Sequence, residues 1–253
     1  MKRGENMRTT WITPGGNAAR LCLDMLKQPH ILIAGSTGSG KSVLINSFIY
    51  TALYNAPTQT QLILIDPKRV ELVQYKDLPH SILYASEPEQ IAAALGAAVG
   101  IMESRYKRMQ AAAQKESTEP HIYIIIDELA DLFTVQKRET APLIARLAQL
   151  GRAAHIHLIA ATQRPTKDII TGQIKVNMDS RIALRCPTAQ DSRNIINIKG
   201  AETLPRYGFG YYLTPETMQP VRVQIPYTAA EDLAERVRWW ITQAGSRRKF
   251  RIA

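Results

Sequence analysis

His30-Ile-Leu-Ile-Ala34, followed at once by Gly35-Ser-Thr-Gly-Ser-Gly-Lys-Ser42, is the stretch on which the fold turns. The first five residues form an apolar run of strand length, and Ser42-Val-Leu-Ile-Asn-Ser-Phe-Ile-Tyr50 behind the loop has helical character. Between them stands the pattern G-x-x-x-x-G-K-[ST], whose glycines let backbone N–H groups turn inward around phosphate oxygens at a helix N-terminus. Gly35, Ser36, Thr37, Gly38, Ser39, Gly40, Lys41, Ser42 and Val43 are therefore the candidate nucleotide-binding residues. Lys41 is expected to reach the β- and γ-phosphates, and the Ser42 hydroxyl to ligate Mg²⁺. No N-K-x-D motif for guanine occurs, so ATP is the expected nucleotide.

Outward from this loop, further apolar runs recur: Gln61 to Asp66, Ser81 to Ala85, His121 to Asp127, Ile156 to Thr162 and Arg181 to Arg185. Near-continuous apolar strands suit a sheet covered on both faces, and helical patterns separate them. Ile91, Leu95, Ala98, Val99, Met102, Tyr106 and Met109 follow steps of three and four. Pro142 is expected in the first turn of another helix, with Leu143, Leu147 and Leu150 on one face. Gln114 to Pro120 is polar and reads as an exposed connection. Gly208 to Leu213 and Val221 to Ile225 suggest a β-hairpin or two edge strands, followed by a helix from about Ala229 to Ala244 and the basic tail Arg247, Arg248, Lys249 and Arg251. The fold class is α/β, a mostly parallel central sheet flanked by helices with a C-terminal β-hairpin and helix. The division expected is an entry segment 1–27, a core 28–227 and a C-terminal helix with its tail 228–253.

The strand from His121 ends at Asp127-Glu128, at the sheet edge where parallel sheets place their ligands. Asp127 is expected to hold Mg²⁺ through water, and Glu128 to activate the attacking water as general base. The run from Ile156 ends at Thr162-Gln163-Arg164-Pro165, so the Gln163 amide is a candidate sensor of the γ-phosphate or lytic water.

No apolar stretch approaches the roughly 20 residues needed to cross a bilayer, and the N-terminus lacks the apolar segment of a secretory signal. Cys22 and Cys186 make neither a disulfide framework nor a metal cluster. A soluble, cytoplasmic chain is the expectation. The net charge of +10 favours polyanionic partners, either nucleic acid or an anionic membrane surface.

Taken in order, HILIAGSTGSGKS, LILIDPKRVEL, IYIIIDELADL, LIARLAQLGRAAHIHLIAATQRP, IITGQIKVNMDSRIAL and QDSRNII resemble the motor domain of FtsK/SpoIIIE DNA translocases, over about Gln28 to Pro226. The resemblance implies a RecA-like core, a homo-oligomer in the form of a hexameric ring around double-stranded DNA, and ATP sites between subunits. By position, Lys41 and Ser42 match the phosphate-binding residues, Asp127 and Glu128 the Walker B pair, and Gln163 the sensor. Arg152 falls where the family has its trans-acting arginine, with Arg146 the competing candidate. Arg164, Lys175 and Arg193 match basic residues on DNA-facing loops, and phosphate contacts are what a motor indifferent to sequence requires.

Against the family pattern, a chain without the membrane-spanning region, long linker and winged-helix module is the expectation, and the Gln114–Pro120 connection is short. Ala189 stands where relatives often carry a basic residue. The expectation is then a compact, soluble member of the kind carried by phages, plasmids or integrative elements, with an accessory protein to read DNA. Related ATPase domains drive protein export, which is the competing function.

Overall fold

The apolar runs become strands because their alternate residues face two separate cores. The computed structural model describes residues 8–12, 20–25, 27–225 and 227–249; Arg251 of the basic tail lies outside them. The central strands are β3 (His30–Ala34), β4 (Thr60–Ile65), β5 (Ser81–Ala85), β6 (His121–Ile126), β7 (Ile156–Thr162) and β8 (Ser180–Leu184). Two N-terminal strands, β1 (Arg8–Ile12) and β2 (Arg20–Asp24), and two C-terminal ones, β9 (Phe209–Leu213) and β10 (Val221–Gln224), complete one sheet of order β2-β1-β10-β9-β8-β3-β7-β6-β4-β5. From β8 to β5 every pairing is parallel, while β9, β10, β1 and β2 add on antiparallel. The expected parallel core and C-terminal hairpin are both present. The 1–27 segment meanwhile contributes two strands to the same sheet.

Along β6, Ile122, Ile124 and Ile126 enter one core, whereas Tyr123 and Ile125 enter the other. β3, β4 and β7 alternate in the same way, as the two-residue period of a strand requires. Helices α2 (Pro88–Ala111), α3 (Leu129–Leu150), α4 (Gly172–Asn177) and α5 (Ala189–Ile196) cover the first face. Helices α1 (Lys41–Ala52) and α6 (Ala230–Lys249) cover the second. Burial of each such Ile or Leu contributes about 1.5–3 kcal/mol, so the doubly covered strands make a rigid platform.

Pro142 departs from expectation. It lies inside α3, beyond a break at Gln136 (φ −145°, ψ 40°) that joins two helical segments. The sequence before the break, Leu129-Ala-Asp-Leu-Phe133, is itself helical because Glu128 caps it, so the helix begins three turns earlier than the proline alone suggests. α4 and α5 are short elements that the hydrophobic periodicity does not announce. Their signals are local. The Thr171 and Thr188 hydroxyls accept from the N–H groups of Ile174 and Asp191, and Asp191 returns a bond to Thr188. Thr188-x-x-Asp191 is a capping box in plain sight.

Candidate nucleotide site

Because β3, β4, β6 and β7 run parallel, the residues after each strand gather at one edge. There the P-loop is fixed by backbone bonds on both sides: Gly35 N–H donates to the Thr162 carbonyl (3.2 Å) and Ser36 N–H to that of Arg185 (2.9 Å). Gly35 admits no side chain, since a Cβ would stand 2.8 Å from that of Leu184. Gly40 has φ +105°, in the left-handed region that favours glycine, and caps α1 without any side-chain bond. The first-turn N–H groups of α1 are thus left to a ligand, with no acidic side chain competing.

Lys41 is buried and donates to the Asp127 carboxylate (2.5 Å) and carbonyl (2.8 Å), two of its three N–H donors. Asp127 keeps its other oxygen, Oδ2, buried without a protein partner. The Ser42 hydroxyl donates to Glu71 Oε1 at 2.8 Å. This cluster tests whether Mg²⁺ suits the site. The donors are all hard oxygens, and a buried carboxylate oxygen awaits a partner, which fits an ion that takes its remaining ligands from water and phosphate. Glu71 was not anticipated as part of the site, although it is the penultimate residue of the LILIDPKRVEL motif; its spacing from Asp66 across a loop conceals its aim.

Glu128 is buried to 1% exposure at the N-cap of α3. Its carboxylate accepts from the Thr162 hydroxyl (2.7 Å), the Gln163 N–H (3.0 and 3.1 Å) and the Ala130 N–H (3.3 Å). Lys68 Nζ stands 3.5 Å from Glu128 and 3.4 Å from Asp131. Burial works to lower the Lys68 pKa, but the two carboxylates outweigh it and the net shift is upward. The Gln163 side chain meets the P-loop directly, accepting from the Thr37 hydroxyl at 3.1 Å.

Beside these groups opens a cavity of about 420 Å³ lined by the P-loop residues Ser36 to Gly38 and Gly40 to Val43, with Gln163 and Glu71. Its far wall is Tyr207, Gly208, Ile225 and Tyr227, which come from the ends of β9 and β10. Gly208 N–H donates to the Ser39 carbonyl (3.0 Å) and Ile225 N–H to that of Gly208 (2.8 Å), so the hairpin is tied to the P-loop by main chain. No sequence motif announces this wall.

Arg152 stands elsewhere. It is exposed in the turn before β7, at the end of that strand remote from the P-loop. The seven residues of β7 separate the two edges by about 20 Å or more. Arg146 is engaged by Glu103 at 2.6 and 3.0 Å. Arg164, Lys175 and Arg193 lie on the β7–α4 connection, α4 and α5, all on the α2/α3 face, and Arg164 and Arg193 are exposed. The Asn194 side chain donates to the Pro165 carbonyl at 2.8 Å, tying α5 to the loop of Arg164. Lys175 is half-buried, and burial, then Arg181 and Lys167, lower its pKa.

The sequence profile of the FtsK/SpoIIIE family matches residues 12–119 and 108–167. The chain belongs to the FtsK/SpoIIIE family. It is 44% identical over 233 residues to the DNA translocase FtsK of Lactiplantibacillus plantarum, covering 84% of this chain and 29% of that protein. It is 41% identical over 253 residues to the DNA translocase FtsK of Clostridium acetobutylicum, covering 94% and 33%. The chain thus spans about a third of the length of these relatives.

Among solved structures, the pCW3 conjugation coupling protein TcpA with ATPγS superposes with a TM-score of 0.78 at 25% identity, covering 94% of this chain and 71% of that one. The Type VII secretion ATPase EccC of Thermomonospora curvata shares the fold, with a TM-score of 0.78 at 24% identity over 90% of this chain and 30% of that one. The described domain is therefore the P-loop ATPase domain of its family. No helix among the described residues is long and apolar enough to cross a membrane.

Proposed function

We propose that this chain is the motor of a double-stranded DNA translocase that hydrolyses ATP between the subunits of a ring. The observation that carries the reading is the separation of Arg152 from its own P-loop: Lys41, Asp127, Glu128 and Gln163 converge on one edge, so Arg152 can reach a phosphate only on a neighbouring subunit. Kinship with FtsK translocases at above 40% identity supports DNA as the track. The hexameric state, the cytoplasmic setting and the role of Arg152 belong to this proposal.

The P-loop N–H groups and Lys41 bind the phosphates of ATP, and Tyr207 and Tyr227 offer two rings to the base. Ser42, with Asp127 acting through water, would hold a Mg²⁺ whose charge neutralises the phosphate oxygens when bound. Glu128 takes a proton from water as that oxygen attacks the γ-phosphorus; the bond to the β–γ bridging oxygen breaks, and ADP and phosphate leave. The neighbour's Arg152 offsets the charge that develops on the transferring group. Gln163, whose side chain accepts from the P-loop and whose backbone N–H donates to the Glu128 carboxylate, relays the state of the γ-phosphate to Arg164 and, through that loop, to Lys175 and Arg193. These basic residues contact phosphates of the duplex without reading bases.

Steady-state ATP hydrolysis measured across protein concentrations, with and without long duplex DNA and against a Lys41→Ala blank, tests the reading. Cooperative dependence on protein concentration and a DNA stimulation that falls steeply with salt are expected. Hydrolysis indifferent to DNA but raised by a polypeptide would replace it with the protein-export function.

A further inference from the structure

The Glu128 carboxylate is more heavily engaged than a general base requires. Oε1 accepts from Thr162 Oγ1 (2.7 Å), Gln163 N–H (3.1 Å) and Ala130 N–H (3.3 Å). Oε2 accepts from Gln163 N–H (3.0 Å) and faces Lys68 Nζ at 3.5 Å. An ionised carboxylate has about four lone-pair directions, and these four donors, with the Gln163 N–H shared between both oxygens, occupy them and leave none for a water proton. Glu128 must release a partner before it can act.

Thr162 makes the shortest of these bonds, and its hydroxyl is committed on its other side as well. It accepts from the Arg164 backbone N–H at 3.1 Å. The side chain is fully buried at the last position of β7, so the hydroxyl has no solvent partner to turn to. Arg164 opens the exposed loop that leads into α4. A displacement of that loop removes the N–H that orients the hydroxyl, and the bond to Glu128 changes with it. Glu128, Thr162 and Arg164 are thus linked in series through one oxygen atom.

We propose that Thr162 is a positioning residue that holds Glu128 away from water until the Arg164 loop moves. The inference rests on Glu128 being the base and on Arg164 facing the track, as set out above, and gives those two roles a physical connection. The opposite arrangement, a hydroxyl that aims the carboxylate productively, makes the contrary prediction for the same substitution.

Thr162→Val keeps the shape of the side chain and removes the hydroxyl, and Thr162→Ser keeps the hydroxyl. The valine variant is expected to raise kcat for ATP without DNA at least about threefold at unchanged KM, and to shrink any stimulation by DNA correspondingly, while the serine variant tracks the wild type. A valine variant with DNA-free hydrolysis no greater than wild type overturns the proposal. If valine abolishes the cooperative melting transition, Thr162→Cys, with a weaker donor at the same place, gives the same comparison at smaller amplitude. The DNA-free comparison decides the role of Thr162 even if duplex DNA leaves the wild-type rate unchanged, a result that would count against the DNA track alone.

Discussion

Tyr207 has a conformation that only a fixed loop sustains. Its φ is +66°, unusual for a bulky residue, yet its ring is 79% exposed at the mouth of the P-loop cavity. Tyr227 is 77% exposed on the same wall. Large aromatic rings left in water beside an apolar cavity are flat surfaces suited to a purine, and stacking contributes about 0.5–1.5 kcal/mol beyond area burial. Tyr207→Ala is therefore expected to raise the KM for ATP about five-fold with little change in kcat, and Tyr207→Phe to leave both near wild type. Initial-rate kinetics against ATP concentration check this, and an unchanged KM in the alanine variant removes the tyrosine from the base site. At this scale the proposed phosphate site was legible in the sequence because its chemistry demands fixed residue types at fixed spacing. The wall proposed for the base was not, since any apolar or aromatic surface serves a purine, and here it comes from a hairpin more than 160 residues downstream of the P-loop.

The strand ends carry a second chemistry at the edge opposite the P-loop. His121 Nδ1 lies 2.9 Å from His157 Nε2, and the His121 ring stacks on His155 with centroids 4.1 Å apart. His30, at the start of β3, bonds the Leu158 N–H and leaves Nε2 buried without a partner. Burial pushes His30 down to about 4; burial, then His155 and Arg105, do the same to His121; His157 lies well below its ordinary value for the same leading reason. In the unfolded chain these rings titrate near 6.5, so between 6.5 and 4 the unfolded state takes up protons that the folded state refuses. The stability they contribute is intact above pH 6.5 and falls as pH drops towards 4, by about 1.4 kcal/mol per unit for each fully engaged site. Melting temperatures from pH 7.5 to 4.5 should show this decline, with a shallower slope in His121→Gln; a flat profile would mean that the cluster opens to solvent. None of this was visible beforehand, because it depends on which strands are neighbours. The strands themselves were legible from their unbroken apolar character, and α2 from its long periodicity. α4 and α5 escaped notice because two turns are too short for a period, and the break at Gln136 because nothing in its residue type marks it.

Across the whole molecule, the parallel sheet sets two functional edges far apart, and this geometry makes the strongest claim about assembly. Arg152 cannot meet the phosphate held by Lys41 of its own chain across the length of β7, so any role on the phosphate requires a second subunit. A subunit carrying Lys41→Ala retains a good Arg152, and one carrying Arg152→Ala retains a good P-loop. Each alone should fall to background, because every interface in a uniform ring pairs one intact half with one broken half. Mixed in equal amounts and allowed to exchange, about one interface in four pairs an intact P-loop with an intact arginine. Hydrolysis should then return to at most about a quarter of the wild-type rate, with DNA present to favour assembly. A double variant carrying both changes, mixed with either single variant, makes no complete interface and should restore nothing. Recovery in the first mixture alone places Arg152 on the neighbour's phosphate. Appreciable hydrolysis by Arg152→Ala unmixed would instead hand the role to Arg146, which would have to leave Glu103 to fill it.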